Sequence, residues 1–370
     1  MGDECQSSAE RNGESAEPDG KGVGGAWTSS RRTFLGGTAA VMLMSHDAAI
    51  ARSVPSPDPD APDAPAVEIS NGLVTAVLFI PDAQRGYYRA TRFDWSGAVA
   101  DLRAVGHSYF GRWFPTYDPK KHDAIPGPVQ EYVTGQGFDA APVGGTFVKI
   151  GVGVLRKPAG PMRGFPTLEI VDGGKWRTRV HKDAVDFIHE VNDPASGYGY
   201  RYTKTVLLPP GKNQLVLKHR IESTGRNPLD TEMYDHNFFV LDGQGSGPDV
   251  EVRFPFRIEA FNITGGGGIQ VGEKQLNYQR VLTTPARMQI KGFGSTAADY
   301  DIRVENRKTG AGVRVTSDRP LSDFVFWTSP RTTCPEAYIH VHAERGKPMQ
   351  WQITYDFYAL PPAAAGAAAV

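Results

Sequence analysis

The chain has 370 residues and a formal net charge of −1, with 40 Lys and Arg against 41 Asp and Glu. That balance excludes the basic surface on which nucleic-acid binding rests. Two cysteines, Cys5 and Cys334, exclude the disulfide-stapled class of small secreted folds, and the length suffices for one large domain or two ordinary ones.

In chain order, residues 1–28 are polar and rich in Gly, Ser and Glu, a composition that predicts a disordered leader. Next come Ser29-Ser30-Arg31-Arg32-Thr33-Phe34-Leu35, an apolar run through Met44, and Ala49-Ile50-Ala51. Two adjacent arginines, a short apolar run and a small-x-small cleavage site make a twin-arginine export signal. The run is well short of the ~20 apolar residues that span a bilayer. Residues 1–51 are therefore expected to be leader and signal, removed after Ala51. The twin-arginine translocation machinery is the partner during export, with the mature chain periplasmic or secreted and not stably inserted in the membrane. Cleavage removes Cys5 and leaves Cys334 as a lone thiol, expected as a buried apolar residue.

Residues 52–66 are proline-rich and predict an extended, semi-rigid linker. Residues 67–360 then hold a single folded domain, and residues 361–370, rich in Pro, Ala and Gly, predict a frayed tail. Within the domain, Val67–Ile69 and Leu73–Phe79 flank Asn71-Gly72, a strong hairpin-turn signal. Further strand candidates are 146–155, 167–171, 184–191, 198–208, 214–223, 233–241, 250–258, 287–291, 301–306, 312–317, 323–327, 337–343 and 349–358. They are punctuated by Gly, Pro, Asn and Asp, and no amphipathic helix exceeds three turns. Many short strands between turn signals predict a large all-β sandwich. No fixed-period repeat argues for a propeller or β-helix.

Polar residues gather in four places. The clearest is Glu336-Ala337-Tyr338-Ile339-His340-Val341-His342-Ala343-Glu344. On a regular strand, Glu336, Tyr338, His340, His342 and Glu344 share one face, either exposed or the floor of a polar cleft. The second is Tyr234-Asp235-His236-Asn237-Phe238-Phe239, in which His236 is either a catalyst or a hydrogen-bonded structural histidine. The third runs from Tyr87 to Trp113 and interleaves Arg92, His107 and Arg112 with Trp95 and Trp113. Aromatic faces stack on the C–H faces of a sugar while arginines donate to hydroxyls or a carboxylate; a core of aromatics with snorkelling arginines is the alternative. The fourth is His122-Asp123 through Gln130-Glu131-Tyr132, a loop with ionisable groups.

Together these segments resemble the galactose mutarotase (aldose 1-epimerase) superfamily over residues 67–358. Tyr234–Phe239 is similar to the family's Asn-His-x-Tyr-Phe motif, with Asp235 where the family has asparagine. Cys334-Pro335-Glu336 is similar in place to its C-terminal catalytic glutamate, and Arg92 or Arg112 to its substrate-binding arginine. The family's His-Gly-Gly segment has no clear counterpart. The resemblance implies a large, twisted antiparallel β-supersandwich with a sugar cleft across one sheet. It also implies a carbohydrate substrate and acid–base chemistry without a cofactor, with Glu336 as base and His236 as acid. Tyr234 joins them as a third catalytic candidate. Arg92, His107, Arg112, Trp113, His122 and His340 are the candidates for holding substrate.

Three other readings stay open. A carbohydrate lyase would use Tyr234, His236, His340 and Arg92 for β-elimination, and arginines converging on the cleft would favour it. A non-catalytic carbohydrate-binding or glycan-assembly protein would keep the fold alone. A divalent metal held by His340 and His342 is the fourth, since a His-x-His pair on one strand face can chelate.

Overall fold

A computed structural model of the chain describes residues 51–265 and 267–361. The leader, nearly all of the export signal and the tail beyond Pro361 lie outside the described residues. The rest is strand and turn, with only two 3-10 turns, Leu241–Gly243 and Ala297–Asp299, among the described residues.

Two large sheets form the sandwich. The ten-stranded sheet runs Lys175–Val180, Ala184–Asp193, Tyr198–Leu207, Gln214–Ser223, Met349–Ala359, Ala311–Ser317, Asp301–Asn306, Val250–Arg253, Gln275–Tyr278, Ile269–Val271. The six-stranded sheet runs Glu259–Thr264, Ala286–Lys291, Asp323–Ser329, Thr332–Ala343, Leu229–His236, Val129–Tyr132. Neighbouring strands pair antiparallel. Strand alternation explains which face is buried. Leu215, Leu217 and Ile221 point inward from one strand, Trp351, Ile353, Tyr355 and Phe357 from the next. Against them the six-stranded sheet sets Met233, Met288, Ile290, Phe324, Phe326, Ile339 and Val341. With side chains alternating at period two, the opposite face of that smaller sheet is left for something else.

A polar seam ties the sheets together inside this core. Lys204 Nζ donates to Ser96 O at 2.7 Å and to Gln130 Oε1, and Gln130 Nε2 donates to Asp235 Oδ1 at 2.7 Å. Tyr355 OH closes the seam onto Asp235 Oδ2 at 2.7 Å and Asn237 Oδ1 at 2.8 Å.

A five-stranded sheet, Arg52–Val54, Ala66–Ser70, Val74–Phe79, Val99–Ala104, His107–Phe110, and a three-stranded one, Thr146–Lys149, Gly153–Arg156, Ile170–Asp172, complete the fold. The Asn71-Gly72 turn forms as expected: Asn71 Oδ1 accepts from the Leu73 and Val74 amides at 2.9 and 2.8 Å, and Gly72 has φ +86°. Residues 52–66 do not run free as an extended linker. Arg52–Val54 pairs with Ala66–Ser70, Ala61 and Ala64 are buried, and the buried Asp58 carboxylate accepts from Tyr87 OH and from Arg112.

Candidate active site

The outward face of the six-stranded sheet carries the chemistry. Leu229–His236 and Thr332–Ala343 pair so that Tyr234 stands opposite Tyr338; Val129–Tyr132 puts Glu131 beside Tyr234, and Asp323–Ser329 sets Trp327 beside Cys334. Ala286–Lys291 adds Arg287 beside Trp327. Directly paired residues share a face, so Glu131, Tyr234, His236, Cys334, Glu336, Tyr338, Trp327 and Arg287 lie on one surface. Segments before and after the Val129–Tyr132 strand cover this surface with Arg92, His122, Asp123 and Phe165. The enclosed space is about 270 Å³, near the lower end for a small-molecule site.

On its floor, His236 Nε2 lies 3.3 Å from Glu336 Oε1, with both side chains almost wholly buried. On the ring's other side, His236 Nδ1 lies 2.6 Å from Cys334 Sγ, which also accepts the Phe238 amide at 3.1 Å. Burial pushes the Cys334 thiol well above its ordinary value, so sulfur keeps its proton, and we assign that proton to the contact with Nδ1. Nδ1 then accepts, and the imidazole proton sits on Nε2, facing Glu336. Burial, with the charges of Arg92 and His122, holds His236 well below the ordinary histidine value. Burial raises Glu336 to about 8 despite Arg92. Burial thus favours the proton on Glu336 and a neutral His236, whereas the expected assignment makes Glu336 the base and His236 the acid. Dehydration by the surrounding rings is the cause.

Those rings form a stack. His236 lies on Phe238 at 3.8 Å and 14°, and Phe238 on Trp113 at 4.6 Å and 18°. Phe238 adopts φ +44°, a conformation costly for a residue with a side chain. That turn directs its amide at Cys334 and its ring under His236. Trp113, expected to bind substrate, is the outer ring of this stack and gives its indole N–H to Ile125 O at 3.0 Å; it supports the site from behind.

Arg92 is fixed from four sides. Its Nε donates to Glu131 Oε2 at 2.7 Å and its Nη2 to Tyr234 OH at 2.9 Å. Its guanidinium lies between the Phe93 ring, 4.5 Å away, and the Phe165 ring, 3.7 Å away. Burial alone would raise Glu131; Arg92 and Lys149, 3.7 Å away, hold it below its ordinary value. Tyr234 gives its phenol proton to Glu131 Oε2 and stacks on Tyr338 at 4.3 Å. Tyr234 thus lines the cavity, but its proton is committed to Glu131, so it serves as wall and positioning group in place of the proton-transfer role expected of it.

His122 also reaches the cavity, next to Asp123. His122 Nδ1 is buried without a hydrogen-bond partner, and Asp123 Oδ1 has only Lys121 Nζ, 3.7 Å away. Gly127 lets this segment pack tightly, since a Cβ there would lie 2.1 Å from Asn237 O.

Other expected site residues lie elsewhere. His107 Nδ1 pairs with Asp242 Oδ2 at 2.9 Å on the five-stranded sheet. Arg112 is held by Asp58 at 2.9 Å and Asp60 at 2.6 Å. In both, a local carboxylate commits the side chain away from the cavity. His340 and His342 do share a face with Glu336, but they lie beyond the cover, exposed, and both bond to Asp230, at 3.0 and 2.7 Å. Their rings stand 6.4 Å apart.

One trio, His236, Cys334 and Glu336, has donor atoms within 4.8 Å of one another. Cys334 and Glu336 address opposite nitrogens of the ring, so one ion cannot take all three. The trio does not fit a metal. Glu131, Phe165 and Arg287 escaped the sequence-based list: Glu131 looked like a loop residue, and Phe165 and Arg287 sit in no polar cluster.

No family model and no curated protein matches the chain. Solved structures do match in shape. A galactose mutarotase related enzyme from Lactobacillus acidophilus matches with TM-score 0.50 at 11% identity, over 80% of this chain and 97% of that one. A galactose 1-epimerase from Lactobacillus acidophilus matches with TM-score 0.50 at 10% identity, over 84% and 99%. A galactose mutarotase-like protein from Clostridium acetobutylicum matches with TM-score 0.50 at 10% identity, over 80% and 96%. At such identities the likeness concerns the fold, and the described chain has the galactose mutarotase-like β-sandwich.

Proposed function

We propose that this chain is an aldose 1-epimerase-like enzyme that interconverts the anomers of a sugar by acid–base chemistry. The observation that carries the reading is the buried Glu336–His236 contact at 3.3 Å, on the floor of a cavity walled by Arg92, Asp123 and His122, whose Nδ1 is buried without a hydrogen-bond partner. Buried polar atoms without partners call for a polar ligand.

Ring opening needs a proton delivered to the ring oxygen and another removed from the anomeric hydroxyl, two oxygens on the same carbon. A protonated Glu336 meets both needs. Its O–H gives a proton to the ring oxygen as the C1–O5 bond breaks and that electron pair moves to O5. Its other oxygen takes the hydroxyl proton as C1=O1 forms. Rotation about C1–C2 and the reverse steps give the other anomer, with Glu336 again protonated. The His236 Nε2–H donates to the carboxylate while it turns over its proton. Arg92 holds substrate hydroxyls with its remaining N–H groups, its charge being balanced by Glu131.

NMR of mature protein with a panel of aldoses tests this. Anomeric exchange is expected to accelerate for at least one sugar, and Glu336→Gln to slow it roughly 10²–10⁴-fold. Unsaturated-sugar signals would instead support the lyase, and binding without exchange the non-catalytic protein. The lyase reading draws on Arg287, which lines the cavity and has no ion pair among the described residues, so it is free to meet a uronate carboxylate. Against it, Arg92 is already neutralised.

The Arg31-Arg32 segment supports export by the twin-arginine route. Arg31→Lys with Arg32→Lys should retain the protein in the cytoplasm, read by fractionation and blotting; undiminished export of the double variant would remove this part of the proposal.

A further inference from the structure

We infer that the sugar cavity continues into an apolar subsite that receives an aryl substituent carried by the substrate. A second space of about 270 Å³ adjoins the first, and Arg92 and Phe165 are walls of both. Phe165 belongs to both walls: its ring lies 3.7 Å from the Arg92 guanidinium and 5.3 Å from the His122 ring.

The linings differ in kind. The first cavity is lined by the polar groups of His122, Asp123, Arg287, Glu336 and Tyr338. The second is built from Val133, Phe138, Phe147, Leu155, Met162 and Leu168. The ionisable groups at its base are engaged within the protein. Arg92 and Lys149 flank Glu131, and Lys149 Nζ also donates to Tyr132 O. Thr91 Oγ1 accepts the Leu168 amide at 3.0 Å. A second sugar ring would lose hydrogen bonds to water here with little in return, whereas an apolar group gains from leaving water. The Phe138 and Phe147 rings meet edge to face at 5.0 Å, and with Phe165 they present the edges and faces that aromatic rings prefer. Val133, Met162 and Phe165 stay 44%, 46% and 46% exposed, which keeps the mouth apolar and open.

The inference rests on the acid–base reading for the sugar half of the ligand. Anomer exchange needs a free hydroxyl at C1, so the aryl group is borne on another carbon, as an ether or ester.

The aryl half can be tested alone with 4-fluorophenol, followed by ¹⁹F NMR on the mature chain. Saturable broadening with Kd on the order of 1 mM is expected for so small a ligand. Val133→Glu and Met162→Glu, both on the exposed rim, should each weaken it about tenfold or more. Glu336→Gln should bind the probe as the wild type does. Absence of saturable binding to the wild type would overturn the inference, as would binding undiminished in both rim variants. Should Glu336→Gln retain full turnover while the rim variants lose the probe, the acid–base reading alone would fall.

Discussion

At the scale of single residues, the site turns on which atom holds which proton. Cys334 is a positioning residue: its S–H···Nδ1 bond places the imidazole proton on Nε2. Serine can make the same donation and alanine cannot. Cys334→Ala should therefore lower kcat by about tenfold or more and leave KM nearly unchanged, because the tautomer is no longer fixed. Cys334→Ser should restore most of the loss. The ¹⁵N shifts of His236 read the tautomer directly, and unchanged shifts in Cys334→Ala would show that sulfur fills space only. Glu336 gives the pH dependence. Its folded value is raised to about 8, so the protonated form needed for transfer is present below that pH and lost above it. kcat/KM should fall as pH rises through about 8, and the fall should vanish from the residual activity of Glu336→Gln. A profile flat to pH 10 would contradict this proton assignment.

At the scale of elements, one strand shows both what the sequence made legible and what it did not. The period-two pattern from Glu336 to Glu344 correctly placed Glu336, Tyr338, His340 and His342 on one face. Nothing in that pattern says where the cover ends, and Glu336 is 5% exposed while His340 and His342 stand in solvent. The covering residues come from segments more than a hundred positions away, and a local pattern carries no such contact. The Val99–Ala104 and His107–Phe110 hairpin was missed for a local reason. Its turn, Val105-Gly106, has φ +49° and +84°, and a β-branched valine stands where asparagine or aspartate usually signals this turn. With the hairpin unseen, His107 looked like a neighbour of Arg92. Packing of the His122 segment is testable at Gly127. A Cβ there would lie 2.1 Å from the backbone oxygen of Asn237, and backbone cannot yield as a side-chain tip can. Gly127→Ala should cost on the order of 1–3 kcal/mol in denaturant unfolding and raise KM by displacing His122 and Asp123. Wild-type stability and KM would mean that the segment shifts freely.

At the scale of the molecule, the two large sheets are joined through a buried charge, and the site stands on that joint. Gln130 and Asp235 are sequence neighbours of Glu131 and of Tyr234 and His236, and they face the opposite way, into the core. Lys204 rises from the ten-stranded sheet to meet Gln130, and its charge acts on both Asp94 and Asp235. Burial pushes both carboxyls up, and Lys204 opposes that shift. A lysine on the inward face of the strand Tyr198–Leu207 read in sequence only as alternation; the carboxylates that compensate it, Asp235 and Asp94, lie 31 and 110 positions away in a sequence that gives no hint of pairing. Lys204→Met would leave two buried acids without their cation. Removing one partner of a buried charge cluster typically costs about 3–5 kcal/mol. The sign of the pH dependence follows from the raised carboxyl values. Their stabilising contribution is complete below the unfolded value of 3.8 and is lost as pH rises through the folded values, which go higher still once Lys204 is gone. The variant should therefore lose more stability at pH 8 than at pH 5, where Asp94 and Asp235 can take up protons and sit neutral in the core. Urea unfolding at the two pH values reads the difference. A loss equal at both would show that Lys204 acts by packing its hydrocarbon stem between the sheets, and that its charge does not hold them together.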